Sequence, residues 1–249
     1  MRPLLRSLKP TSGVAHVLHL ILLLILPVVV FVFIWLNLTQ LALATVVLAK
    51  WRMFAVRPRF WAANIRANAV DLMVGLSIAV FMINSDQVWL QAFWALLYAV
   101  WLVGVKPRTT VPWVTTQAFL GQLLALTALY LTLGDGPTYA LTFLTGLFCF
   151  LAARHFLDVF DEPYARMLAY LWGYFGAALA WLLSHWLLFY RGVAQPTLLL
   201  STLGYGMAVL YYLDHNDRLS KGARRQFLFI MLAIVLVVLA FSDWGDKVV

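Results

Sequence analysis

The sequence is poor in everything that faces water. Of 249 residues only 11% are charged, acidic side chains number 10 against 18 basic ones, and there is one cysteine. A soluble domain carries about 25% charged residues, because a polar coat must separate its core from water. An ordinary soluble domain is therefore excluded. The lone Cys149 allows no disulfide framework and says nothing about redox compartment. Strict two-residue alternation is missing from the apolar runs, which argues against a transmembrane β-barrel. Repeats, low-complexity tracts and polar linkers are missing too, so nothing marks a second domain. What is there is grease: 64% hydrophobic and 15% aromatic residues, with a mean hydropathy of +0.89.

Such a chain has lipid as its solvent, and a spanning helix needs about 20 mainly apolar residues. The expected fold class is all-α: a polytopic integral membrane helix bundle, one transmembrane domain over 1–249. Its nine spans are expected near 14–36, 38–55, 68–84, 88–105, 113–133, 138–157, 166–190, 197–213 and 227–243. The first two are ambiguous, since Val14 to Ala49 reads either as one long helix or as a hairpin turning near Asn37, and residues 37–55 as a full span or a half-span.

Charge decides for the hairpin. Lys and Arg collect on the cytoplasmic side of membrane helices. With nine spans, all but Arg191 and Lys247 of the 18 basic residues fall on one side. A single first span would move Arg2, Arg6 and Lys9 across. The N-terminus is thus expected in the cytoplasm and the C-terminus outside, as in a bacterial-type inner membrane protein. The first apolar stretch exceeds the 7–15 residues of a signal-peptide core and reads as an uncleaved span. The formal charge of +8 needs no nucleic acid, because topology and an anionic leaflet account for it.

The most distinctive stretch, Lys50 to Asp71, interleaves Lys50, Arg52, Arg57, Arg59 and Arg66 with Trp51, Phe54, Phe60 and Trp61, and Pro58 interrupts any single helix. It reads either as a stop-transfer loop or as a site for anionic lipid headgroups, with rings in the acyl boundary and cations on phosphates. Asn64, Asn68, Asp71 and Gly75 then recur at helical spacing and share one face. An intramembrane carboxylate faces the bundle and pairs or functions, so Asp71 is the leading candidate, with Arg66 or another loop arginine as its expected partner.

Gln117, Gln122, His155 and Asp158 are further intramembrane polar candidates. Arg154 and Asp158, four apart, are expected to pair. Asp158, Asp161, Asp214 and His215 are the weak metal candidates, without the spacing of a known metal motif. Small residues spaced by four at Ala165, Ala169, Gly173 and Ala177, and the stripe Thr138, Thr142, Thr145 and Cys149, suit close helix packing.

Asn68-x-x-Asp71 and Asp158-x-x-Asp161 resemble the aspartate-rich loops of UbiA-type prenyltransferases, which hold Mg²⁺ and a prenyl diphosphate. The longer aspartate series of that family is missing from both places. Two functions follow. The first is a small transporter or channel-like protein, or a subunit of a membrane complex, with membrane lipids and homo- or hetero-oligomer contacts as partners and no cofactor. The second is an enzyme acting on a lipid-linked or prenyl-diphosphate substrate at the cytoplasmic face with a divalent metal. Convergence of Asp71, Asp158, Asp161 and Asp214 on one cavity would favour the second.

Overall fold

The computed structural model describes residues 13–160, 162–186, 189–190, 192–242 and 244, with backbone alone for 14–19, 52, 189 and 190. It is 80% helical and all-α, with one hairpin of two-residue strands among the described residues. In order, the elements are α1 Val14–Trp35, α2 Thr39–Leu48, α3 Trp61–Ile83, α4 Val88–Val100, α5 Val111–Leu133, α6 Thr138–Leu157, α7 Ala165–Leu183, β1 Phe189–Tyr190, β2 Val193–Ala194, α8 Gln195–His215 and α9 Lys221–Ala240. Among the described residues six helical stretches, Pro58–Ile83, Val88–Val105, Val111–Leu133, Thr138–Leu157, Gln195–His215 and Lys221–Ala240, are long and apolar enough to cross a membrane. Their outer faces expose Leu96, Phe143, Phe229, Leu232 and Leu236. Large contiguous apolar surface of that kind suits lipid and not water.

The turn between α1 and α2 shows why a hairpin forms. Asn37 sits at φ 60°, a left-handed conformation that asparagine tolerates better than most residues. Its own N–H bonds to the Ile34 carbonyl at 2.9 Å and that of Leu38 to the Phe33 carbonyl at 2.7 Å, the paired closure of a Schellman motif. The second helix is shorter than the expected 38–55. It stops at Leu48 and gives way to a 3₁₀ turn at Trp51–Met53, so ten residues cover only about 15 Å.

The seventh helix is also shorter than expected. Ser184 Oγ donates to the Trp181 carbonyl at 2.7 Å and His185 Nδ1 lies 3.0 Å from the same oxygen. These local bonds compete with helix propagation. The chain then turns through the β1–β2 hairpin, Tyr190 opposite Val193, instead of continuing helical to 190.

Of three buried apolar clusters, the two largest lie in halves joined by α3. In the first, Val30, Ile34, Val46, Val74, Ile78, Met82 and Tyr98 pack α1 to α4 together. In the second, Leu126, Tyr130, Leu141, Cys149, Leu183, Leu199 and Leu200 pack α5 to α8. Helix α3 packs on α5 and α6 and so links the halves.

The small-residue stripes meet inside the chain. A Cβ on Gly146 would stand 2.9 Å from the Gly173 carbonyl oxygen and from the Ala177 Cβ, and one on Gly176 would stand 2.7 Å from Cys149 Sγ. Only glycine permits so close an approach of α6 and α7. These faces pack α6 against α7 within the fold, as their spacing leads one to expect.

Candidate functional site

The one buried charged side chain among the described residues sits where α2, α3 and α4 meet. Asp71, 8% exposed, accepts hydrogen bonds from Lys50, from Lys106 at 2.6 Å and from Trp101 Nε1 at 2.9 Å. The expected pairing of Asp71 with Arg66 is thus corrected: Arg66 lies instead 3.9 Å from Asp158. Local geometry explains the substitution of partners. Helix α4 continues into a π turn, Trp101–Val105, in which the Lys106 N–H bonds to the Trp101 carbonyl at 2.9 Å. On an α-helix residues five apart diverge by about 140°. The i→i+5 bond of a π turn stacks them on one face, so Trp101 and Lys106 both reach Asp71.

The stripe Asn64, Asn68, Asp71 and Gly75 does share one face. Asn68 Nδ2 donates to the Asn64 carbonyl at 2.9 Å and Asn64 Nδ2 to the Met53 carbonyl at 3.4 Å. Further along, a Cβ on Gly75 would lie 2.7 Å from the Tyr98 hydroxyl and 2.8 Å from Val46.

Around Asp71 the charge does not balance. Two ammonium groups share one carboxylate, and no second carboxylate lies within ion-pair distance of either among the described residues. Burial pulls Lys50 below the ordinary lysine value, and the neighbouring Lys106 pulls the same way, while the Asp71 carboxylate opposes both. Against this, an ordinary lysine, with a pKa of about 10.4, costs about 4–5 kcal/mol to deprotonate at pH 7. Lys106 is also one-third exposed, which keeps its ammonium partly hydrated.

From this knot polar contacts run sideways across the same end of the bundle. Gln117 Nε2 donates to the carbonyls of Val105 and Arg108 at 2.8 Å each, and its Oε1 lies 3.0 Å from His155 Nε2. Arg154 and Asp158 form the expected i, i+4 pair at 2.5 Å. Tyr211 Oη donates to Glu162 Oε2 at 2.5 Å. That bond, with the Tyr164 N–H on the other oxygen, holds the Glu162 carboxyl below the usual carboxylate range. The cation-rich ends of α2, α3, α4, α5, α6 and α8 thus lie together.

The second feature is a cleft of about 550 Å³ bounded by α5, α6, α7 and α8. Its volume falls within the range of about 300–1,000 Å³ typical of ligand sites. Its walls are almost entirely apolar, among them Phe119, Ala153, Phe156, Leu168, Leu203 and Ala208. Helix α7 packs closely on α6 and lightly on α8, and Leu171, Phe175, Tyr205 and Met207 stand exposed along that looser seam. Polar groups mark its two ends. Tyr211, whose hydroxyl donates to Glu162, lies at the charged end, and Gln122 lies toward the middle of α5. There Gln122 donates to the Leu200 carbonyl at 3.0 Å and accepts from Trp172 Nε1 at 3.0 Å.

The remaining candidates fall outside both features. Arg57, Arg59 and Arg66 project from the surface near Trp51 and Trp61, two exposed rings. The Arg52 side chain and Asp161 lie outside the described residues. Asp214 and His215 belong to the end of α8, where Asp217 takes φ 54° and the Arg218 N–H closes on the Leu213 carbonyl at 2.8 Å. That polar cluster is a helix terminus. His215 stacks on Tyr211 with centroids 6.0 Å apart. The carboxylates of Asp71, Asp158 and Asp214 do not converge on one cavity, and among the described residues no three His, Cys, Asp or Glu side chains come together to hold a metal ion. Asp71 and Asp158, the two aspartates of the prenyltransferase resemblance within the described residues, are each engaged by cations of this chain.

Sequence reasoning missed Trp101 and Lys106 on Asp71, and Trp172 and Tyr211 on the cleft. Lys106 was visible only as a topological charge, and no periodicity announces a π turn. The chain matches no family model, no curated protein and no solved structure.

Proposed function

We propose that this is a non-catalytic polytopic membrane protein, transporter-like, that takes an amphiphilic membrane molecule from the side into the cleft between α7 and α8. The observation that carries the reading is the cleft itself: about 550 Å³, apolar, bounded by four helices, with its loose seam at α7 and α8. An apolar chain fits such walls, burying about 25 cal/mol per Å² of apolar surface. Tyr211, bonded to Glu162, offers a hydrogen-bonding group to a polar head at the charged end, and among the described residues no aspartate lines the cleft.

The topology of this reading is nine membrane crossings, the short α2 among them, with N-terminus cytoplasmic, C-terminus outside, and a bacterial-type inner membrane as its place. Arg57, Arg59 and Arg66 would rest on anionic headgroups of the inner leaflet. The test is native mass spectrometry of the full chain released from mild detergent. A copurifying chain-bearing molecule is expected, and Ala208→Phe, which fills the cleft, should remove it with the melting temperature unchanged. A wild-type protein that carries no such adduct, or an A208F protein that keeps it, sinks the reading.

A further inference from the structure

Apart from the cleft there is a second hollow, about 670 Å³, on the other half of the molecule. It is bordered by Lys50 and Lys106 on one side, Asn64 and Asn68 on another, and Leu22 and Leu23 of α1 at its rim. We propose that it is a binding site for a phosphate group, anchored by Lys50 and Lys106. The argument is one of charge and donors. Each ammonium carries three N–H donors, and Asp71 is the one side-chain acceptor either reaches among the described residues. Two cations and one carboxylate leave one unit of positive charge in a mostly buried setting, where a further anion is favoured.

The neighbours suit the same guest. Asn64 and Asn68 each use Nδ2 in one backbone bond, and each amide nitrogen keeps a second N–H to donate. Trp101 fixes Asp71 Oδ1 through its indole N–H, while Oδ2 takes both lysines, and the remaining N–H donors of the two ammonium groups are left for the anion. A phosphate accepts from ammonium and amide donors together, and charge-assisted bonds of this kind are about twice as strong as neutral ones. Leu22, exposed beside the hollow, supplies apolar surface where the chains of a phospholipid would lie. A lipid headgroup and free inorganic phosphate are the two sources of the same chemistry.

The experiment uses the full chain in nanodiscs and in detergent, with Lys106→Gln, Lys106→Arg and Asn68→Ala as variants. Lys106→Gln keeps the Lys50–Asp71 pair and removes only the surplus cation. For a lipid source, phosphatidylglycerol should be retained over phosphatidylcholine by about tenfold in native mass spectrometry, with the preference lost in K106Q and kept in K106R. Asn68→Ala, which touches no charge, should weaken it about threefold. For a free-phosphate source, millimolar inorganic phosphate should raise the melting temperature in lipid-free detergent, again in wild type and K106R but not in K106Q. If neither probe distinguishes wild type from K106Q, or if wild type responds to neither, the proposal is overturned. A K106Q protein that does not fold is replaced by N68A against wild type, for which equal binding overturns the proposal in the same way.

Discussion

The two halves of the molecule handle charge in opposite ways. Around α3, charged and hydrogen-bonding groups are drawn inward onto Asp71, and the apolar side chains of Val46, Val74 and Tyr98 close over them. Between α5 and α8 the reverse holds: apolar walls leave a hollow, and Gln122, Trp172 and Tyr211 are confined to its margins. The difference lies in helix spacing. Where Gly146 and Gly173 let α6 and α7 touch through backbone, the seam is shut. Where the side chains of α7 and α8 face each other lightly, it stands open.

The comparison can be broken most forcefully at Asp71. Replacing it by Asn leaves two lysines without their counter-charge, and removing one partner of a buried ion pair costs about 3–5 kcal/mol. Thermal unfolding of D71N in detergent should show that loss. A change below about 1 kcal/mol would mean that the knot is not a structural centre. A smaller effect is expected at the shut seam. The methyl of Gly146→Ala would collide with the Gly173 carbonyl and Ala177 at 2.9 Å, and overpacking of this kind costs about 1–3 kcal/mol. A G146A protein as stable as wild type would show that α6 and α7 can part freely.

Smallest is the effect at the open seam's polar margin. Gln122→Leu strips partners from the Leu200 carbonyl and the Trp172 N–H, and losses of this type cost about 1–2 kcal/mol. Stability should fall by that amount, and Trp172, freed from its partner, should show a shifted fluorescence maximum. Unchanged emission would place Trp172 elsewhere in the protein.

Much of the arrangement near Asp71 was legible in the sequence, because it follows from helical spacing along one segment: Asn64, Asn68, Asp71 and Gly75 do line one face. The Arg154–Asp158 pair was legible for the same reason. The partners of Asp71 were not. Lys50 and Lys106 lie 21 and 35 positions away, brought in by a helix that ends early and by a π turn, and neither event has a periodic signature. The cleft was equally hidden, since Thr115, Ala153, Leu168 and Ala208 come from four helices whose separate patterns say nothing of the gap between them.

By itself the sequence determined the helical class and the apolar grain of this protein. A chain that is 64% hydrophobic and 11% charged must satisfy its backbone internally, so it forms helices, and Asn37 turns the first pair back on itself. Those are local matters of composition, length and dihedral preference. Only the tertiary structure decided which cation meets which carboxylate, and which helix pair closes while another stays apart. Such choices depend on the sizes and shapes of side chains that meet across the bundle, and no single helix carries them.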